Sequence, residues 1–203
     1  AHYTSAINLA LIGTTTSPII AIVLARIFLK EKIDRLKIAG MVLCICGVLF
    51  LLSHGSIQNL LTFQFTRGDG WILVAALCFA IYNTLVRKKP SAISPINYLF
   101  IIFSFGTILL FPFYLWEISH TDPVEWNSNL FFIVLYLGLG ASVISYLFWN
   151  IAIGKLGAGR TALFGNLIPV FSSAEAALLL GEQFTWDHLA SMLLVFAGIL
   201  LAN

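Results

Sequence analysis

The sequence predicts an all-α integral membrane protein with seven transmembrane helices, and three observations lead to that prediction. Of its 203 residues, 60% are hydrophobic and only 10% are charged, whereas soluble domains carry about 25% charged residues. Seven apolar stretches are long enough to span a bilayer, and almost all basic residues lie in alternate connections between them. A chain this apolar cannot cover itself with polar surface in water, so the lipid bilayer is its expected partner.

Each apolar stretch has about the 20 residues that a helix needs to cross the hydrocarbon core. The stretches cover residues 5–29, 36–54, 70–88, 96–116, 129–153, 159–181 and 186–203. Strands of a membrane β-barrel would be half as long and would alternate polar with apolar residues, which these stretches do not do. The connections between the stretches are short, so they leave no room for a soluble catalytic domain.

The basic residues fix a predicted orientation. Ten of the 11 lie in or beside the odd-numbered connections: Arg26, Lys30, Lys32, Arg35, Lys37, Arg87, Lys88, Lys89, Lys155 and Arg160. The positive-inside rule therefore predicts that these connections and the C-terminus lie in the cytoplasm. The net charge is only +2, and no basic stripe is interleaved with aromatic residues, so no nucleic-acid partner is predicted.

The sequence contains no pattern that indicates a metal, a cofactor or an enzyme. Cys44, Cys46 and Cys78 lie inside apolar stretches, and the four histidines lie near the ends of spans without metal-ligand spacing. No nucleophile elbow, phosphate loop or dinucleotide fingerprint is present. We therefore predict no cofactor, no metal site and no catalytic residues.

An internal repeat appears when the sequence is shifted against itself by 151 residues. The segments SPIIAIVLARIFLKE and IPVFSSAEAALLLGE are both apolar helices with a Pro near the start and a Glu 13 residues later. Each segment is followed by a helix with two small residues seven positions apart. The aligned pairs are Pro18 with Pro169, Glu31 with Glu182, Gly40 with Ser191 and Gly47 with Gly198. Small residues two turns apart allow a neighbouring backbone to approach closely.

The two copies of the repeat are predicted to be inverted in the membrane. Glu31 lies in a basic connection and Glu182 in an acidic one, so each copy must contain an odd number of helices, which we count as five. Residues 1–54 then form helices four and five of a first repeat, and residues 69–203 form a complete second repeat. On this count about 80 residues with three further helices are expected to precede Ala1. Inverted repeats are typical of secondary transporters.

These residues resemble the drug/metabolite transporter (DMT) superfamily, in particular its EamA-type ten-helix members. The resemblance is carried by the two Pro-to-Glu segments, by YTSAINLALI at 3–12 and by SYLFWNIAIGKLGAGRTALFGNLIPVFSSAEAALLLGE at 145–182. It covers the whole chain as helices four to ten. It implies a permease of the cytoplasmic (inner or plasma) membrane that often exports amino acids or other metabolites, with both termini in the cytoplasm. Helices one to three, which line part of the family's cavity, are expected to precede Ala1.

Polar groups inside the spans are the candidate site residues, because they are costly to bury in lipid. Glu175 is a candidate proton-coupling or cation-binding group; alternatively it is a protonated carboxyl bonded to a neighbouring helix, or it faces an aqueous vestibule. Helical spacing places it with Ser172 and Thr161 on one face. The candidate cavity residues are Tyr82, Asn83, Ser142, Tyr146, Trp149, Asn150, Asn166 and Ser172. Serine hydroxyls could instead bond back to their own helix.

Together these patterns predict a secondary transporter of small polar or amphipathic metabolites that works by alternating access. An ion gradient, of protons or another cation, is the expected driving force, since no nucleotide-binding motif is present. One alternative is a non-transporting membrane sensor or assembly subunit with the same fold. Another is a membrane-embedded enzyme, for which Glu175 alone supplies too few catalytic groups. The sequence predicts no oligomeric state.

Overall fold

The computed structural model describes residues 6–53, 55–56, 58, 66–121, 124–179 and 185–202. Long helices make up most of this part of the chain, and no strand occurs in it. The helices are α1 (Ala6–Leu29), α2 (Arg35–Ser53), α3 (Arg67–Lys88), α4 (Pro95–Ile118), α5 (Ser128–Leu156), α6 (Ala158–Leu179) and α7 (Trp186–Ala202). Each coincides with one predicted apolar stretch to within a few residues at either end.

Five of these helices, α2 to α6, have the length and apolar composition to cross a membrane, and the apolar parts Thr15–Leu29 of α1 and Trp186–Ala202 of α7 are shorter. Large apolar side chains such as Phe100, Phe113 and Leu178 are at least 70% exposed. Such surfaces are stable in lipid and would associate in water. The chain is therefore a multi-pass helical membrane protein, while the count of seven spans and the five-plus-five repeat stay predictions.

The chain divides into two compact units. The first unit comprises Ala1–Lys88 and Leu156–Asn203, and it contains α1, α2, α3, α6 and α7. The second unit is Lys89–Lys155 and contains α4 and most of α5. Helices of both predicted repeats therefore contribute to the first unit.

In the first unit, α2 and α7 form the most extensive helix pair, and glycines make it close. A Cβ on Gly198 would lie 2.6 Å from the carbonyl oxygen of Gly40 and 2.8 Å from the amide nitrogen of Cys44. Further along, Ser191 Oγ donates to the carbonyl of Gly47 at 2.8 Å. Cys44 Sγ donates to the carbonyl of Val195, which is 151 residues further along the chain, at 3.5 Å. Small side chains thus let two backbones touch.

Alanines perform a similar role where α1 packs against α3 and the start of α6. Ala21, Ala80 and Ala162 form one buried cluster, flanked by Ile20 and Leu24. Since none of the three alanines extends past its Cβ, the three helix axes can approach one another closely. This contact holds the start of α6 against α1.

In the second unit, both helices begin with side-chain caps. Ser94 Oγ accepts from Asn97 N at 3.3 Å before Pro95 starts α4, and Asn127 Oδ1 accepts from Leu130 N at 2.8 Å at the start of α5. Pro at the first helical position and Ser or Asn as the cap are the expected start signals. The middle of α5, Tyr136–Ile144, is a π-helix, a form that is rare and frequent at functional sites.

Candidate functional site

The central feature of the first unit is a break inside α6. The helix runs regularly over Ala158–Leu163, tightens to a 3₁₀ turn at Phe164–Asn166 and resumes as α-helix over Leu167–Leu179. Pro169 follows the turn; it has no amide hydrogen, so it cannot donate to the carbonyl four residues earlier. A 3₁₀ stretch in the middle of a helix often marks a functional hinge, and irregular membrane helices form the binding sites of many secondary transporters. We take the break as the candidate site.

Asn166 is the polar side chain at the break, and it is completely buried. Its Nδ2 donates to the carbonyl of Leu163 at 3.0 Å. Its Oδ1 is buried and has no hydrogen-bond partner among the described residues. A buried acceptor without a donor costs about 1–3 kcal/mol. Such a cost is typical of a group that a ligand or a second conformation satisfies.

The apolar surroundings of the break make this oxygen stand out. Phe164 and Leu167, on either side of Asn166, pack against the buried cluster of Cys44, Val48, Val170, Val195 and Ile199, to which α2, α6 and α7 contribute. A polar atom beside such a core is costly unless a hydrogen-bond donor reaches it. The break therefore presents one acceptor next to the tightest helix pair of the unit.

The start of α6 is held by a carboxylate from the turn between α1 and α2. There, Lys30 adopts a left-handed backbone with φ 56°, and Glu31 N donates to the carbonyl of Ala25 at 3.2 Å. The left-handed conformation, which normally favours glycine, turns the chain back at the end of α1. The turn brings Glu31 to α6.

Glu31 Oε1 accepts from Ala158 N at 3.0 Å, and Oε2 accepts from Gly159 N at 3.3 Å. Lys37 Nζ lies 3.7 Å from Oε2, and Lys37 is only 5% exposed. A carboxylate at a helix N-terminus satisfies free amide hydrogens and interacts favourably with the helix dipole. In the sequence Glu31 is recognisable only as a repeat marker, because residues 127 positions apart have no periodic signal. The glycines at 157 and 159 are the one hint of this contact.

Substitution of Gly157 by alanine is expected to destabilise the protein by about 1–3 kcal/mol or more. Gly157 has φ 93° and ψ 160°, a combination that only glycine adopts readily, and an added Cβ would lie 2.8 Å from Glu31 Oε1. The measurement is the apparent melting temperature in detergent. Gly154→Ala is the matched control, since no atom lies within 4 Å of a Cβ there; an equal loss at both positions would contradict the prediction.

Several predicted site residues lie in the first unit. Asn83 is buried, and the ring of Tyr82 stacks on that of Phe79 at 6.0 Å between centroids. Ser172 and Glu175 are exposed on the second part of α6. Thr161, which helical spacing placed on the same face, is instead buried and donates to the carbonyl of Gly157 at 2.8 Å. The 3₁₀ turn between them changes the angular register that the spacing argument assumed.

The other four predicted cavity residues lie on α5 in the second unit. Ser142 is half-buried within the π-helical segment, and Trp149 is half-buried about one turn beyond the C-terminal end of that segment. Asn150 is buried, and the ring of Tyr146 packs edge-on against that of Phe103 at 5.8 Å between centroids. The four residues thus lie along the part of α5 that runs from the π-helical segment towards the C-terminal end of the helix.

The residues of the predicted repeat are placed unequally. Pro18 and Pro169 are both buried, but α1 continues as a regular helix through Pro18 whereas α6 changes form just before Pro169. Gly40, Gly47 and Gly198 lie in the contact between α2 and α7. Glu182 lies outside the described residues.

Known proteins resemble this chain along almost its whole length. Residues 1–53 and 66–203 match the EamA-like transporter family. The uncharacterized transporter YyaM of Bacillus subtilis (strain 168) is 30% identical over 206 residues, which cover 99% of this chain and 65% of that protein. A probable amino-acid metabolite efflux pump of Salmonella typhimurium is 29% identical over 185 residues, 84% of this chain and 58% of that protein. The chain therefore spans less than two thirds of the length of either relative.

The fold also matches a protein of known crystal structure. The two superpose with a TM-score of 0.79 at 15% sequence identity, covering 98% of this chain and 68% of that one. At this identity the likeness concerns the fold alone. It shows that the arrangement of helices has a counterpart in an experimental structure.

Proposed function

Because the chain belongs to the EamA-like transporter family of the DMT superfamily, we propose that it carries small metabolites across the cytoplasmic membrane as a secondary transporter working by alternating access. The family and the names of the relatives indicate a transporter rather than an enzyme. The observation that carries the proposal is the break in α6 with its buried, partnerless Asn166 oxygen. A buried polar oxygen inside an apolar helix bundle is explained if a solute or a coupling ion binds to it.

The contacts between α2 and α7 support an inverted repeat. Shifting by 151 residues exchanges Gly40 with Ser191 and Gly47 with Gly198. The contact of Gly40 with Gly198 then becomes the contact of Ser191 with Gly47, and both are present. A pair of contacts that exchange in this way is expected of two related halves around a pseudo-two-fold axis. Two such halves can exchange conformations, which is the basis of alternating access.

The substrate class that we propose is small polar or amphipathic solutes such as amino acids, moved outward. A relative is named a probable amino-acid metabolite efflux pump. The acceptor oxygen of Asn166 suits a solute with an N–H or ammonium donor. We further propose that the basic connections and the C-terminus lie in the cytoplasm, as the positive-inside rule predicts.

Solute flux in proteoliposomes tests this function. The protein is reconstituted and screened against a panel of amino acids and related amines, with and without an imposed pH gradient. We expect saturable flux of at least one member that rises when the gradient is imposed. Absence of flux for every solute, from a protein that is folded and correctly inserted, would favour the sensor or assembly subunit.

Glu175→Gln is expected to abolish the acceleration of flux by the pH gradient while leaving downhill exchange measurable. Glu175 lies exposed on the second part of α6, nine residues beyond Asn166, and a carboxylate in a membrane span is the natural proton carrier. Glu125→Gln, in the exposed connection between α4 and α5, is the matched control. Unchanged dependence on the gradient in Glu175→Gln would remove this residue from the coupling mechanism.

A further inference from the structure

The contact between the α1–α2 turn and the start of α6 joins two parts of the chain that the proposed transport cycle would move. We call the end of the first unit at this contact the basic end; its charged side chains include Arg26, Lys32, Lys37 and Arg160. Glu31 links the turn to α6 through the amides of Ala158 and Gly159. Ile22, which packs with Leu163 and Ala202, lies just behind this link.

We propose that the Glu31 carboxylate is a latch: it holds the basic end closed by binding the first turn of α6, and it must release that turn for the pathway to open on this side. This inference rests on the proposed function, since only a transporter needs to open there. Glu31 is thereby a positioning residue for the transport cycle and not a part of the substrate site.

The polar groups are distributed so that the latch can separate. Lys37 Nζ is 3.7 Å from Glu31 Oε2, and Asp34 Oδ1 accepts from Lys37 N at 2.7 Å. Glu31, Asp34 and Lys37 therefore belong to one cluster on the α1–α2 side, whereas α6 contributes only two backbone amides. When α6 moves away, the carboxylate keeps its cationic partner, so no unpaired buried charge results. Opening thus requires the loss of two hydrogen bonds, together with the apolar contacts of Ala162 and Leu163.

The two glycines at the start of α6 leave room for the Glu31 carboxylate. A Cβ at Gly159 would lie 3.1 Å from Lys37 Nζ and 3.2 Å from Glu31 Oε2, and one at Gly157 would meet Oε1. Any side chain at either position would displace the carboxylate. The 3₁₀ turn at Phe164–Asn166 lies only a few residues further along. It gives the segment Ala158–Leu163 a joint about which it can move apart from the rest of α6.

The test measures access to a reporter behind the latch. Gly165 is replaced by cysteine in a variant whose Cys44, Cys46 and Cys78 are alanine, because a Cβ at Gly165 meets no other part of the described chain within 4 Å apart from its own stretch of helix. The reporter lies about 10 Å along α6 from Ala158. A membrane-impermeant maleimide is applied to proteoliposomes from the side of the basic connections or from the opposite side, and the rate of labelling is measured from each.

We expect Glu31→Gln to raise the labelling rate from the basic side about tenfold and to lower it from the opposite side, because hydrogen bonds to a charged group bias a two-state equilibrium by at least that factor. Asp34→Asn is the matched control: it makes the same chemical change in the same turn, has no bond to α6 and leaves both rates unchanged. The double variant Glu31→Gln with Lys37→Met removes the buried charge and keeps the raised rate.

A static capping role predicts lower thermal stability in Glu31→Gln with no change in the ratio of the two labelling rates, and that result would overturn the latch. Labelling of the reporter from one side only, in both Glu31→Gln and its parent, would instead contradict alternating access and the proposed function. Distances between spin labels at Lys32 and Arg160 provide a second measurement if the reporter variant misfolds. There Glu31→Gln is expected to add a longer-distance population, and an unchanged distribution would overturn the latch.

Discussion

Substitution of Gly198 by alanine is expected to cause a large loss of stability in the helix bundle. The added Cβ would lie 2.6 Å from both the carbonyl oxygen of Gly40 and Cys44 Sγ, and 2.8 Å from Cys44 N. Two of these three atoms belong to backbone, so they cannot rotate away, and α2 and α7 must separate. Overpacking typically costs about 1–3 kcal/mol, and we expect the upper end of that range, with an apparent melting temperature lowered by roughly 5 °C or more.

Gly106→Ala in α4 is the matched control for this prediction. An added Cβ at Gly106 meets no atom within 4 Å, so the same substitution should leave the melting temperature unchanged or raise it slightly. If Gly198→Ala were as stable as Gly106→Ala in detergent and in lipid, the close contact of α2 with α7 would be wrong.

Replacement of Asn166 by leucine is expected to reduce solute flux by at least about tenfold while leaving the protein folded, since removal of a bound-state hydrogen bond to a charged or polar ligand has effects of this size. Leucine has a similar shape and suits the apolar surroundings formed by Phe164, Leu167 and the cluster around Val170. It removes an oxygen that has no partner among the described residues and one hydrogen bond to Leu163. We therefore expect Asn166→Leu to lower solute flux while leaving the stability of the fold largely unchanged.

Thr84→Val is the control for the Asn166 prediction. Thr84 is buried in α3, and its hydroxyl donates to the carbonyl of Ala80 in the same helix at 3.0 Å, so its loss should change neither flux nor folding much. Full flux in Asn166→Leu would show that the buried amide has no part in transport. A parallel loss of melting temperature and flux would instead assign Asn166 a structural role.

The positions of the helices could be predicted from the sequence because the bilayer imposes a length on each apolar stretch. The boundaries differ mainly where side chains cap the ends. Asp69 was placed ahead of its span, but α3 begins at Arg67, and Asp69 Oδ2 accepts from Thr66 N at 2.7 Å inside the first turn. Hydropathy does not identify such a capped polar turn as helix, because only its backbone hydrogen bonds distinguish it from a connecting loop.

The break in α6 could not be predicted, although its proline was noticed. Pro18 and Pro169 occupy equivalent positions in the predicted repeat, yet only the second follows a 3₁₀ turn. The difference depends on packing: Phe164 and Leu167 contact the cluster that α2 and α7 share. A proline leaves one carbonyl without its backbone donor in either helix, and packing against the neighbouring helices determines whether the helix stays regular.

The candidate site was only partly accessible to sequence reasoning, for a related reason. Asn166 was identified because a polar residue in an apolar stretch is conspicuous. Glu31 was identified by its place in the repeat, but its bonds to Ala158 and Gly159 arise from tertiary packing between distant segments. Lys37, a buried cation beside Glu31, was counted only as a basic loop residue, since charge at the end of a span normally lies in water.

The claim on which the rest depends is that the two repeats insert in opposite directions, and sidedness of chemical labelling tests it most directly. Single cysteines at Lys32 and at Glu182, in the connections predicted to follow the helices of Pro18 and Pro169, are exposed in turn to a membrane-impermeant reagent on sealed vesicles of known orientation. We expect Lys32→Cys to react only from the cytoplasmic side and Glu182→Cys only from the outside. Reaction of both from one side would contradict the inverted arrangement and the transport mechanism built on it.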